Sequence, residues 1–98
     1  MKINTNQVLK TFGGESMKDN VNGNAVDATI KSALVNAVLN PVDNETGVEK
    51  VRKYELAKMI YNNDEVDLNE DDIKTIKDAV GKVFAPIVVG QIFELLKV

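Results

Sequence analysis

The chain has 98 residues, 44% of them hydrophobic, with a formal net charge of −3, which suffices for one modest core in a single domain, 1–98, and leaves no room for a second. It contains no histidine and no cysteine, the residues that supply most proton shuttles, activated nucleophiles, zinc ligands and disulfides. The composition therefore argues against hydrolase, redox and zinc chemistry, and for a non-enzymatic protein of a reducing compartment with no cofactor.

Met1-Lys2-Ile3-Asn4-Thr5-Asn6-Gln7 lacks the apolar run and cleavage signature of a signal peptide, and no stretch approaches the roughly 18 apolar residues of a membrane span. A cytoplasmic location without membrane contact is expected. Val8-Leu9-Lys10-Thr11-Phe12 and Ser16-Met17-Lys18-Asp19 flank Gly13-Gly14-Glu15, a pattern that predicts a β-hairpin whose glycines supply positive φ. Residues 20–24, polar with Gly23 among them, predict a loop. The chain thus divides into a hairpin and loop, 1–24, and a helical part, 25–98.

Over 25–40, Val26, Ile30, Ala33, Leu34, Ala37 and Val38 recur at three- and four-residue steps and predict a helix, capped by Asn24 and ended by Pro41. Thr46-Gly47-Val48-Glu49 has the spacing of a capping box and predicts a second helix over 47–61. Its apolar residues, Val48, Val51, Tyr54, Leu56, Ala57, Met59, Ile60 and Tyr61, run nearly all the way round, which marks it as the central helix with contacts on more than one side. Glu49 and Lys53 are spaced for an ion pair. Glu65-Val66-Asp67-Leu68 alternates and predicts a short strand paired with the hairpin. Asn69 and Asp72 then cap a third helix, with Ile73, Ile76, Val80, Val83 and Phe84 as its buried stripe. A fourth, over 86–97, opens with Pro86. The predicted fold class is α+β, an N-terminal hairpin packed on a compact group of about four helices.

Four constellations invite a functional reading. Asp64, Glu65, Asp67, Glu70, Asp71 and Asp72 cluster together, and Asp67, Asn69 and Asp71 stand at the first three ligand positions of a calcium loop, but Asp72 stands where that loop needs glycine and Asp78 where it needs glutamate. The pattern fits a helix start with dipole-complementary acids better, so no metal site is expected. Lys50, Arg52, Lys53, Lys58, Lys74, Lys77 and Lys82 suggest a helix-turn-helix, yet the net charge is negative and the acids lie between the two helices, which speaks against nucleic acid. Tyr54 and Tyr61, seven apart, are expected to pack their rings in the core with wet hydroxyls. Gly81 and Gly90 are expected to permit close helix contact.

The order of Val8-Leu9-Lys10-Thr11-Phe12-Gly13-Gly14-Glu15, a helix, Val51-Arg52-Lys53-Tyr54-Glu55-Leu56-Ala57, Glu65-Val66-Asp67-Leu68 and Phe84-Ala85-Pro86-Ile87-Val88-Val89-Gly90-Gln91-Ile92 resembles small proteins of tailed-phage and prophage genomes. The resemblance covers most of the chain. It implies a bacterial host cytoplasm and an accessory role, and it carries over no catalytic or binding residue.

The fourth helix is apolar at 87, 88, 89, 92, 93, 95 and 96, beyond the roughly 100° stripe that one contact needs. A two-fold homodimer is expected to cover the excess through Val89, Gly90, Ile92, Phe93 and Leu96. The alternative is that this helix is central to the monomer core. The functional expectation is a phage or prophage accessory protein that binds another protein, such as a host or defence protein; the alternatives are a virion assembly factor and a small DNA-binding regulator.

Overall fold

The computed structural model describes residues 1–97. It is α+β, with two small antiparallel sheets and four helices. Strand β1 (Lys2–Asn4) pairs with β4 (Glu65–Asp67), placing Ile3 opposite Val66, and both are buried. Thr5, buried just beyond β1, accounts for all its polar atoms: its N–H donates to the Asp64 carbonyl (2.7 Å), its carbonyl accepts from Lys31 (2.9 Å), and its hydroxyl faces the carbonyls of Asp64 (3.0 Å) and Asn63 (3.3 Å). This ties together segments some sixty residues apart. The predicted strand at 65–68 therefore exists, but it pairs with the extreme N-terminal segment rather than with the hairpin.

The N-terminal hairpin lies further along the chain than its glycine pair suggested. The regular ladder joins β2 (Lys18–Val21) to β3 (Asn24–Asp27). Its turn is Asn22-Gly23, with φ of 53° and 82°, the paired positive values that a two-residue hairpin turn demands and that Asn-Gly supplies at little strain. The predicted loop 20–24 is thus the turn and its flanks. Residues 8–17 form a looser hairpin: Lys10 bridges Ser16 around Gly14 (φ 87°), and Met17 bonds Leu9 and Ala28 in turn. Leu9 and Ala28 go into the core.

Because 24–27 is strand, α1 (Ile30–Leu39) begins later than the periodicity predicted. Its cap is Thr29, whose hydroxyl accepts from the Ser32 N–H (3.1 Å), and not Asn24. Ile30, Ala33, Leu34, Ala37 and Val38 form the buried face. Both α2 (Gly47–Asn62) and α3 (Glu70–Val83) pack against α1, which is the central helix. Helix α2 has the Thr46 half of the predicted box, Thr46 accepting from the Glu49 N–H at 3.1 Å, but not the reciprocal bond to the Glu49 carboxylate. It is peripheral, however, and buries only Leu56, Ala57 and Ile60. Helix α3 has the complete capping box, Asn69 accepting from the Asp72 N–H (2.8 Å) and Asp72 from that of Asn69 (3.2 Å). Ile76, Ala79 and Val80 are its buried residues; Ile73 and Phe84 are half-buried and Val83 is exposed.

Helix α4 (Pro86–Leu96) inserts Val88, Ile92 and Leu96 into the core, four residues apart on one face. Among the described residues no helix is long and apolar enough to cross a membrane.

Candidate functional site

The residues expected at an α4 interface do not form one surface. Ile92 and Leu96 are among the most completely buried side chains and belong to the monomer core. Val89 and Phe93 are half-buried, Phe93 lying beneath the Lys77 ammonium, 5.8 Å from the ring centre. Gly90 is exposed. A Cβ at Gly90 or Gly81 would meet nothing within 4 Å, so neither glycine serves close helix packing. The apolar excess of α4 is absorbed within the chain: Ile87, Val89, Phe93 and Leu95 pack around the rim of the core. One face of α4 is thus fully buried and its flanks are half covered, while Pro86, Gly90 and Glu94 stay exposed.

Four exposed large apolar side chains sit on α2 instead. Val48, Val51, Tyr54 and Tyr61 are between 55% and 80% exposed, and Leu39 at the end of α1 is 51% exposed. Tyr54 and Tyr61 do share one side of the helix, but their rings are mostly wet and not core. With Val35, Leu39, Ala57 and Lys58 they line an open cleft of about 300 Å³ between α1 and α2. The Lys58 ammonium stands 5.6 Å from the Tyr54 ring centre and 3.9 Å from the Glu55 carboxylate. Such aromatic and aliphatic side chains around a cation suit contact with another apolar surface. The molecule exposes 6342 Å² in all, against roughly 5,500 Å² for a folded monomer of 10.8 kDa.

Two of the four basic residues of α2 are committed inside the fold. The Arg52 guanidinium donates to the Thr75 hydroxyl (2.8 Å) and the Asp71 carbonyl (3.2 Å), bridging α2 to α3. Lys53 pairs with Glu45, in the connection before the helix, and not with Glu49. That hydrogen bond holds the Glu45 carboxyl below the usual carboxylate range; partial burial opposes the shift, while the Lys53 charge, a backbone bond at Val42 and the Lys50 charge add to it. Three carboxylates of the acidic stretch are engaged as well. Asp64 pairs with Lys31 (2.7 Å), Asp67 with the Met1 ammonium (3.2 Å), and Asp72 caps α3. Among the described residues no three potential ligands converge for a metal.

Another exposed apolar side chain lies nearer the N-terminus. Phe12 is 97% exposed on a turn that is nonetheless well held. The Thr11 N–H donates to the Glu15 carbonyl (2.8 Å) and that of Gly14 to the Thr11 carbonyl (3.0 Å). Just before it, the Gln91 amide of α4 pairs with both the N–H and the carbonyl of Lys10, each at 2.8 Å, as a neighbouring strand would. Nothing local in the sequence marks Gln91 for this work, since its partner lies 81 residues away. The α2 face did leave a trace, namely an apolar pattern too wide for one buried side.

No family model matches this chain, and no curated protein and no solved structure matches it either.

Proposed function

We propose that this protein has no chemistry of its own and works by protein–protein binding, with the outer face of α2 and Leu39 as its contact surface. The observation that carries this reading is the stripe of Val48, Val51, Tyr54 and Tyr61, all more than half exposed on one helix. Scattered exposed apolar residues are ordinary, but a contiguous patch on a small monomer marks a contact site. Tyrosine supports it further, since it brings a large amphipathic ring with few rotors to lose. The resemblance to small tailed-phage proteins makes bacterial host and defence proteins the heterologous partners to test, beside a second copy of the chain.

The test compares the wild type with a Val51→Glu/Tyr54→Glu variant. Both residues are exposed, so the variant is expected to keep the wild-type circular dichroism and melting curve. The variant is expected to lose an association that the wild type shows, whether with itself at high concentration or with a protein captured from bacterial lysate. If every association survives both charges, the face is not a contact surface.

A further inference from the structure

Resting on that reading, we propose that the occupant of the α2 face is a second copy of this chain, with the two α2 helices side by side and parallel about a two-fold axis. Three observations lead there. The first is spacing. Val51, Tyr54, Lys58 and Tyr61 follow one another at steps of three, four and three, the repeat of a helix that meets another helix along a seam. In that frame Val51 and Lys58 take the first seam position and Gly47, Tyr54 and Tyr61 the second.

The second is charge. Lys50 and Glu55 are both exposed and flank the seam on opposite sides. Among the described residues Lys50 has no ion-pair partner, and Glu55 has only the long contact to Lys58. They are five residues apart, the separation at which a flank residue of one helix meets the opposite flank of a parallel neighbour. Each Lys50 then reaches Glu55 of the other copy, twice by symmetry. An antiparallel arrangement sets like flanks together, which confronts Glu55 with Glu55 and leaves Lys50 without a carboxylate. A face carrying both signs in this register satisfies its own charges; a face of one sign would select a different partner.

The third is area. Leu39, Val48, Val51, Tyr54 and Tyr61 together leave on the order of 600 Å² open, at the upper end of the largest patch a monomer carries. Were all of it covered, two copies would bury at most about 1,200 Å², the lower bound of a specific interface. The pairing is therefore weak. Lys58 weakens it further, because a lysine at a seam position confronts its own copy. Such a residue fixes register and oligomer state at the expense of affinity.

The experiment is sedimentation equilibrium from about 1 to 500 µM, the range in which an interface near the lower size bound dissociates. A reversible monomer–dimer equilibrium is expected. Lys58→Leu should tighten it by about tenfold, as removal of a seam charge does. Lys50→Glu and Glu55→Lys should each weaken it several-fold, and the double exchange should return it to the wild-type value. A single-chain mass throughout, for wild type and Lys58→Leu alike, overturns the proposal. So does a double exchange no tighter than the single variants. A dimer abolished by Val51→Glu but indifferent to the charge exchange also overturns parallel pairing, while leaving the α2 face as a protein contact. If the chain is monomeric and Val51→Glu instead removes a captured lysate protein, the second copy is excluded and the broader reading stands.

Discussion

Replacing Ile92 by alanine tests most directly whether α4 belongs to the monomer core. Ile92 is wholly inaccessible and sits between Val88 and Leu96 on the inward face of α4. The substitution removes three carbons, worth about 2.4 kcal/mol of transfer free energy at about 0.8 kcal/mol each. The cavity left behind raises the loss to about 3–4 kcal/mol, since a core wall relaxes only in part. A domain of this size has of the order of 5–15 kcal/mol in total, so the variant should remain folded with its stability severely reduced. Urea denaturation followed by circular dichroism at low micromolar concentration reads this as a lower midpoint with an unchanged slope. Low concentration matters because self-association would add a concentration-dependent increment. Val51→Ala, at an exposed helix position, should shift the same curve by less than about 0.5 kcal/mol. A loss below about 1 kcal/mol for Ile92→Ala would refute the placement of α4 in the monomer core, and an accompanying fall in mass would return the interface to α4.

Thr46→Ala should cost about 1 kcal/mol in the same assay, because it removes the acceptor for the Glu49 N–H at the start of α2; no change would mean that the helix does not depend on that cap. Glu45→Gln should destabilise at neutral pH and converge on the wild type in acid. The folded carboxyl lies below its ordinary value of 4.5, so its contribution is fully present above that value and is lost as pH falls through the lowered folded pKa. An unfolding-midpoint series from pH 7 to pH 3 checks this, and parallel curves would sink it. Phe12→Ala should leave stability within about 0.5 kcal/mol, since the ring is 97% exposed; a larger loss would show that the turn packs elsewhere.

The parts of the fold legible in the sequence are those decided by neighbours. The Asn69–Asp72 box and the Thr46 cap involve residues three apart, and the α1 stripe from Ile30 to Val38 repeats within one helix. The misplaced start of α1 shows two local signals in competition: Val26 fits the helical period, but Asn22-Gly23 folds the chain back and pairs it as strand. Strand β1 was unreadable for a different reason. Three residues with one inward side chain make no pattern, and the partner that stabilises them comes over sixty residues later. The same distance hid the Gln91 clamp on Lys10. For the candidate site, the width of the apolar pattern was legible on α2 and α4 alike, but which of them the chain itself surrounds depends on how the helices pack. Each helix puts three residues fully inside, Val88, Ile92 and Leu96 on α4 and Leu56, Ala57 and Ile60 on α2, but the remaining apolar residues of α4 are half-buried whereas Val48, Val51, Tyr54 and Tyr61 stay exposed.

What remains to be explained about α2 is why its outer side is apolar at all. Folding of the single chain gives no reason, since a side chain that stays wet gains little from burial. Local propensity gives a reason against. Valine and tyrosine are poorer helix formers than lysine, glutamate or alanine by a few tenths of a kcal/mol each, because the preceding turn restricts their first side-chain torsion. Four of them along one helix therefore weaken α2 by roughly 1 kcal/mol relative to an ordinary solvated face. Sequences break local rules where something beyond the fold requires it. The same helix uses Arg52 and Lys53 to tie itself to α3 and to the Glu45 connection, so the protein holds rigid a helix whose wet side works against its own stability. A rigid, locally unfavourable apolar face is what a binding surface needs, because little order remains to be lost when a partner covers it.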